Sequence, residues 1–177
     1  LSPVLPDVRF GSKPADGGNL IVGMEDYRQF LEDPIASKYL RSFRSARDLL
    51  YGLNRWCLWM AGSNFDSRDI QRSLLLKERV SACKEFRLDS RKKATNESAK
   101  TAHLFQENHQ PTVPFVAIPR VLSESRHFYT VAHLDEETIA SDALFTAVDP
   151  DRFLFAIISS SMFITWQKAI GGRLESR

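Results

Sequence analysis

The 177-residue sequence holds only two cysteines, Cys57 and Cys83. They lack the Cys-x-x-Cys or Cys/His spacing of a zinc site, and two thiols make no disulfide framework. Cys57 lies inside Trp56-Cys57-Leu58-Trp59-Met60 and reads as a buried, reduced thiol. No apolar run approaches the length that spans a bilayer, and no signal peptide opens the chain, so a cytoplasmic location without membrane contact is expected. Catalytic patterns are absent too. No Pro-Pro pair exists to build the Asn/Asp-Pro-Pro-aromatic loop that methylation of an exocyclic amine requires, and no Gly-rich cofactor turn accompanies it. No Asp or Glu stands two residues before a Lys, the pairing that brings metal ligand and lysine to one scissile phosphate. Walker loop, nucleophile elbow and metal-ligand cluster are likewise missing. His103, His109, His127 and His133 are scattered, and Ser159-Ser160-Ser161 has no His–Asp company and reads as a helix cap. Neither catalysis nor metal binding is expected of this chain.

What is present is an ordinary globular composition, 43% hydrophobic and 26% charged, enough for one core. A net charge of +2 and a pI near 8.6 are mild; a nucleic-acid-binding domain often exceeds about 9. The charge is uneven, however. Lys38, Arg41, Arg44, Arg47 and Arg55 face one acid, Asp48, and a second basic group runs over Lys84, Arg87, Arg91, Lys92 and Lys93. Such local fields attract polyanions.

Residues 1–19, with three prolines and a Gly-rich stretch, read as an extended arm and turn, and residues 20–177 as a single domain. Strands are expected at 20–22, 55–60, 115–118, 128–133 and 138–148. Helices are expected at 24–31, from Pro34, at 69–90 as one long helix, at 152–158 and at 162–170. Residues 91–110 read as a mobile loop. The fold class is α+β: a mixed twisted sheet with a long helix and a C-terminal helix pair. The chain opens without Met and stops just after a helical pattern, so it reads as a piece of something longer.

Six stretches, in order, carry a resemblance. They are Gly11-Ser12-Lys13-Pro14-Ala15-Asp16-Gly17-Gly18-Asn19-Leu20, Lys38-Tyr39-Leu40-Arg41-Ser42-Phe43, Asn54-Arg55-Trp56-Cys57-Leu58-Trp59, Phe86-Arg87-Leu88-Asp89-Ser90, Ile118-Pro119-Arg120-Val121-Leu122-Ser123-Glu124-Ser125-Arg126, and Ile158-Ser159-Ser160-Ser161-Met162 with Trp166 and Gly172-Arg173-Leu174. Together they resemble the target recognition domain of MmeI-like, single-chain type II restriction–modification enzymes and their methylase-only relatives. Two departures stand out: Ser125 replaces the first of the family's paired arginines, and Arg44 replaces a glycine before Ser45.

The resemblance implies a module that recognises double-stranded DNA for an adenine-N6 methyltransferase domain of the same parent chain. S-adenosylmethionine, and magnesium for any fused nuclease, would belong to that parent and not to this chain. It also implies a fold like the recognition domains of type I specificity subunits, with a helix pair facing neighbouring domains. The candidate DNA contacts are Lys13, Lys38, Arg41, Arg44, Arg120, Glu124, Arg126 and Lys168. Arg41, Arg44 and Arg47 would form one row in a helix; in an extended segment only some would reach DNA. Glu124 and Arg126, at i and i+2 entering a strand, would share a face and could read one G·C pair, or form an ion pair that shapes the turn. Lys13 suits a phosphate contact, and equally a simple tight turn. Trp56, Trp59 and Trp166 read as core packing rather than base stacking. The rival function is a protein-interaction module that docks a methyltransferase and never touches bases.

Overall fold

A computed structural model describes residues 6–121, 123 and 125–171. Its strands form two four-stranded sheets rather than the single sheet expected from the sequence. In the first, β1 (Arg9–Phe10), β8 (Leu144–Val148), β5 (Phe115–Pro119) and β6 (Ala132–Leu134) lie side by side in that order, all antiparallel. In the second the order is β2 (Ile21–Val22), β4 (Arg55–Leu58), β3 (Leu40–Arg44) and β7 (Ile139–Ala140). There β3 pairs antiparallel with β4 and parallel with β7, so the second sheet is mixed.

The expected strand 138–148 explains how two sheets arise from one pattern. It divides at a turn over 141–143, where Leu144 N–H donates to Ser141 O and Ala143 N–H to Ser141 Oγ. Serine and aspartate in sequence favour such a turn because their side chains satisfy local backbone groups. β7 before it thus belongs to one sheet and β8 after it to the other. Gly11 passes so close to the turn that a Cβ there would collide with the Ser141 carbonyl, which is why this position needs glycine. The larger core lies around the second sheet and includes Leu20, Phe30, Tyr39, Phe43, Leu58, Met60, Leu76 and Ile139. A smaller one holds Phe115, Ala117, Ala140 and Leu144.

The long helix expected over 69–90 is two: α3 (Asp69–Arg72) and α4 (Leu74–Leu88). Ser73 between them is extended; its Oγ accepts from Leu76 N–H to cap α4 and donates to Asp33 at 2.6 Å. A capping serine with an acceptor of its own starts a new helix more readily than it continues an old one. The buried stripe of α4 runs through Leu76, Cys83 and Arg87, while Leu74, Phe86 and Leu88 are exposed.

Arg87 is fully buried and, among the described residues, meets no carboxylate. Its Nε donates to Ala15 O at 3.0 Å, Nη1 to Ser98 O at 2.9 Å and Thr101 O at 3.2 Å, and Nη2 to Pro14 O at 2.8 Å and Leu104 O at 2.7 Å. All five N–H donors of a guanidinium are thereby used. Three of those carbonyls come from 91–110, which is therefore no loose loop: it forms α5 (Lys93–Glu97) and a 3-10 turn, Ser98–Thr101. Its order comes from backbone carbonyls around a cation, and hydrophobic patterning does not register that.

The expected strand over 128–133 shortens to β6. Tyr129 leaves the alternation, its hydroxyl donating to Pro119 O at 3.0 Å and its ring meeting Phe163 edge-on at 5.9 Å. The first half of the chain also holds α1 (Met24–Glu32) and α2 (Ala46–Tyr51). α2 opens on a capping box between Ser45 and Asp48 and ends at Gly52 with φ 64°. α6 (Phe153–Ser159) and α7 (Ser161–Ile170) form the helix pair, bent by 65°, with Ser160 capping α7. Among the described residues no single helix is long and apolar enough to cross a membrane. Trp56 stacks on Tyr27 at 3.8 Å and Trp59 packs edge-on to Phe105, both against the larger core. Trp166 departs from the core-packing expectation: it is 56% exposed on α7.

Asp48 places α2 against β4. Arg55 Nε donates to Asp48 Oδ1 at 2.9 Å and Arg55 Nη2 to Oδ2 at 2.7 Å, with the Asp48 side chain fully buried. Burial pushes the carboxyl upward, but hydrogen bonds from Arg55 and from the Ser45 backbone and hydroxyl outweigh it and hold the pKa below the ordinary value of 3.8. Two outcomes follow from these contacts. Arg87→Met, which keeps length but offers no donor, should destabilise the protein by about 4 kcal/mol in denaturant titration, because the five carbonyls lose their partner; a loss under about 1 kcal/mol would contradict the cage. Asp48→Asn should destabilise by about 2–3 kcal/mol at neutral pH. Since the folded-state pKa is depressed, this contribution is present above 3.8 and disappears as pH falls through the folded value. The gap between wild type and variant should narrow on acidification; a constant gap would contradict the ion pair.

Candidate nucleic-acid interface

One end of the first sheet gathers the termini of β1 and β5 and the starts of β6 and β8. The chain leaving β5 at Pro119 runs through residues 120–131 before returning as β6. Arg120 begins this loop. Its backbone N–H donates to Ala143 O at 3.2 Å and its Nη1 to Asp142 O at 3.2 Å, so the β7–β8 turn supports it from below. Arg126 lies further along, with Nη1 3.4 Å from Thr130 Oγ1. It is not at the start of a strand, since β6 begins at Ala132, so strand alternation does not set its direction. Glu124 lies outside the described residues. Lys168 reaches from α7 to donate to Arg126 O at 2.7 Å. Together with Tyr129 against Phe163, this contact ties the loop to α7.

The remaining candidates lie elsewhere. β3 is extended, so Arg41 and Arg44, three residues apart, point to opposite faces, and Arg47 sits on α2. The single guanidinium row does not form. Arg41 Nε contacts Glu137 Oε2 at 2.8 Å, and its Nη1 donates to Lys38 O and Leu40 O. Beside Tyr27, Trp56 and Thr138, Arg41 also lines an open cleft of about 330 Å³. Arg44 donates to Leu53 O and Asn54 Oδ1. Lys38 Nζ lies 3.2 Å from Asp69 Oδ2, which also accepts from the Tyr39 hydroxyl at 2.8 Å. The Tyr39 hydrogen bond, offset in part by burial and aided by Lys38, holds the Asp69 carboxyl below its ordinary pKa. Lys13 Nζ lies 3.5 Å from Glu107 Oε1 where the two residues form an antiparallel bridge.

The Gly-rich turn is organised around its own acid. The Asp16 carboxylate accepts from Gly18 N–H at 3.1 Å and from Leu20 N–H at 2.5 Å, while the Pro14 and Ala15 carbonyls face Arg87. Gly17, at φ +64°, lets the Phe86 ring pack against the backbone. The turn's amides therefore serve the fold. The structure brings Arg120, Arg126 and Lys168 to one loop and leaves Lys13, Lys38, Arg41 and Arg44 on the other sheet and the arm. It adds Phe10, exposed beside Arg120. Sequence reading passed over Phe10 because a two-residue strand at position 9 leaves no periodic signal.

The chain matches the family model described as "MmeI, target recognition domain" over residues 1–177. It is 31% identical over 173 residues to DNA methyltransferase A of Bacillus subtilis (strain 168), covering 97% of this chain and 20% of that protein. Among solved structures, the type IIL restriction–modification enzyme MmeI in complex with DNA superposes with a TM-score of 0.86 at 34% identity, covering 96% of this chain and 23% of that one. The chain thus spans about a fifth of the length of these relatives. An α+β domain of two sheets and a C-terminal helix pair, aligned along its whole length, belongs to the MmeI target recognition domain family.

Proposed function

We propose that this chain selects the DNA sequence on which a longer restriction–modification methyltransferase acts, and that it performs no chemistry itself. The observation that carries this reading is the likeness, at TM-score 0.86 and 34% identity, to an enzyme whose structure holds DNA. The parent, on this reading, transfers a methyl group from S-adenosylmethionine to adenine N6 through a domain outside this chain, and any cleavage belongs to a fused, magnesium-dependent nuclease. Two observations on the described residues support that division. Among these residues no cluster of three or more His, Cys, Asp or Glu is placed to hold a metal ion, and the amides of the Gly-rich turn are engaged by Asp16. The proposed partners are double-stranded DNA and the methyltransferase domain of the same parent, in the cytoplasm and away from membranes.

Lysine and arginine contacts to phosphates would supply affinity and register, with side chains at base edges supplying choice. Loop 120–131 is the proposed reader, because Arg120 and Arg126 have no carboxylate partner among the described residues. Lys13, Lys38, Arg41 and Arg44 are proposed as the sequence-independent anchors, and Lys168 contributes by holding the Arg126 backbone. The rival reading, a docking module that touches no bases, draws on one observation: Phe153, Met162, Trp166 and Ile170 of α6 and α7 are all more than half exposed. That surface suits contact with the methyltransferase domain and leaves the loop to DNA.

The test uses the full-length parent carrying Glu124→Lys with Arg126→Asp. Acid and guanidinium complement the two edges of a G·C pair, so mapping of methylated sites should reveal altered choice at one position, with the original base pair penalised by about 1–3 kcal/mol. Binding to all sequences should still fall steeply with salt. An unchanged site at normal activity would remove this pair from base reading, and a binding that does not depend on salt would remove the phosphate contacts.

A further inference from the structure

We propose that Phe10 is a positioning residue for DNA recognition. It holds the Arg120 guanidinium over its ring, ready to donate two parallel N–H bonds to one acceptor pair on DNA, either guanine O6/N7 or two phosphate oxygens. The inference rests on the DNA-recognition function proposed above and names a device within it.

The arrangement follows from sheet register. Phe10 on β1 stands opposite Phe145 on β8, which stands opposite Ile118 on β5. Directly opposed residues share a face, and Arg120, two residues beyond Ile118, continues on that face. The Phe10 and Phe145 rings lie 5.1 Å apart, tilted by 32°. The Arg120 guanidinium carbon stands 4.7 Å from the centre of the Phe10 ring and 5.9 Å from that of Phe145. A phenylalanine at the end of a two-residue edge strand, 46% exposed, adds little to a core. It does present an aromatic face on which a guanidinium stacks, as arginine does and lysine does less well.

The donors left over point to a ligand. Of the five N–H groups of Arg120, the described residues engage one, through Asp142 O. Four of the other basic candidates are differently placed: Lys13 and Lys38 sit on carboxylates, Arg41 on Glu137 and two carbonyls, and Arg44 on Leu53 O and Asn54. Stacking restrains the long side chain before DNA arrives, so less conformational freedom is lost on binding. The two possible acceptor pairs have the same fork geometry.

The experiment uses the full-length parent with Phe10→Leu, Arg120→Ala and the double variant, measuring DNA affinity over a salt series, methylated-site maps and thermal unfolding. Phe10→Leu should weaken binding about two- to fivefold in a folded protein, as the loss of an exposed cation–π contact predicts. It should add nothing in the Arg120→Ala background, and Phe10→Tyr, which keeps the aromatic face, should restore affinity. Relaxed choice at one base position in Arg120→Ala assigns the guanine edge. A uniform loss with a salt slope shallower by about one unit assigns phosphate. Unaltered affinity in folded Phe10→Leu, or losses that simply add in the double variant, would overturn the proposal. A wild-type parent that fails to bind DNA would instead bring down the underlying recognition reading, and the proposal with it.

Discussion

A guanidinium buried without a carboxylate is the contact on which the other placements depend. Desolvating a cation is unfavourable unless every donor is satisfied, and Arg87 achieves this with five backbone carbonyls from two segments. The carbonyls of Pro14 and Ala15 fix the Gly-rich turn against the end of α4, and those of Ser98, Thr101 and Leu104 give residues 98–104 a defined path. The chain before Pro14 is placed in turn. Ser12 bridges to Ser141 and Lys13 to Glu107, and β1 then pairs with β8. A single arginine at the end of a helix in the larger core thus reaches, through the arm, to the edge strand beside Arg120.

The division of residues 138–148 into β7 and β8 has a functional consequence. Because the turn at 141–143 joins the two sheets, the loop resting on it is supported by both. Arg120 donates hydrogen bonds to Ala143 O and Asp142 O, and the far part of the loop is held by α7 through Lys168 and Phe163. A side chain that must choose between bases works only if its backbone is held while its donors stay open, and this loop has both properties at Arg120.

Sequence blocks carried the family because they hold residues whose roles are local and chemical: Arg87 in its cage, Arg55 on Asp48, the Gly-rich turn around Asp16. Their types could be read; their partners could not. Arg87 occupies a stripe position on α4 where periodicity expects an apolar residue, while the apolar Phe86 and Leu88 beside it are exposed. The helix break at Ser73 depends on Asp33, forty residues away. The order of 91–110 depends on carbonyls, which every residue has. Tyr129 looked like strand alternation and instead joins α7. For the site, the basic residues of loop 120–131 were legible through the motif around Pro119, whereas Phe10 required the register of three strands.

The account assigns the choice of DNA sequence to this chain and the chemistry to the rest of its parent. The most direct measurement is a transplant: this chain replaces the corresponding segment of DNA methyltransferase A of Bacillus subtilis, and the methylated sequence of the chimera is mapped. The account predicts that the chimera methylates the sequence recognised by this chain's own parent. An active chimera that still methylates the host enzyme's sequence would contradict it.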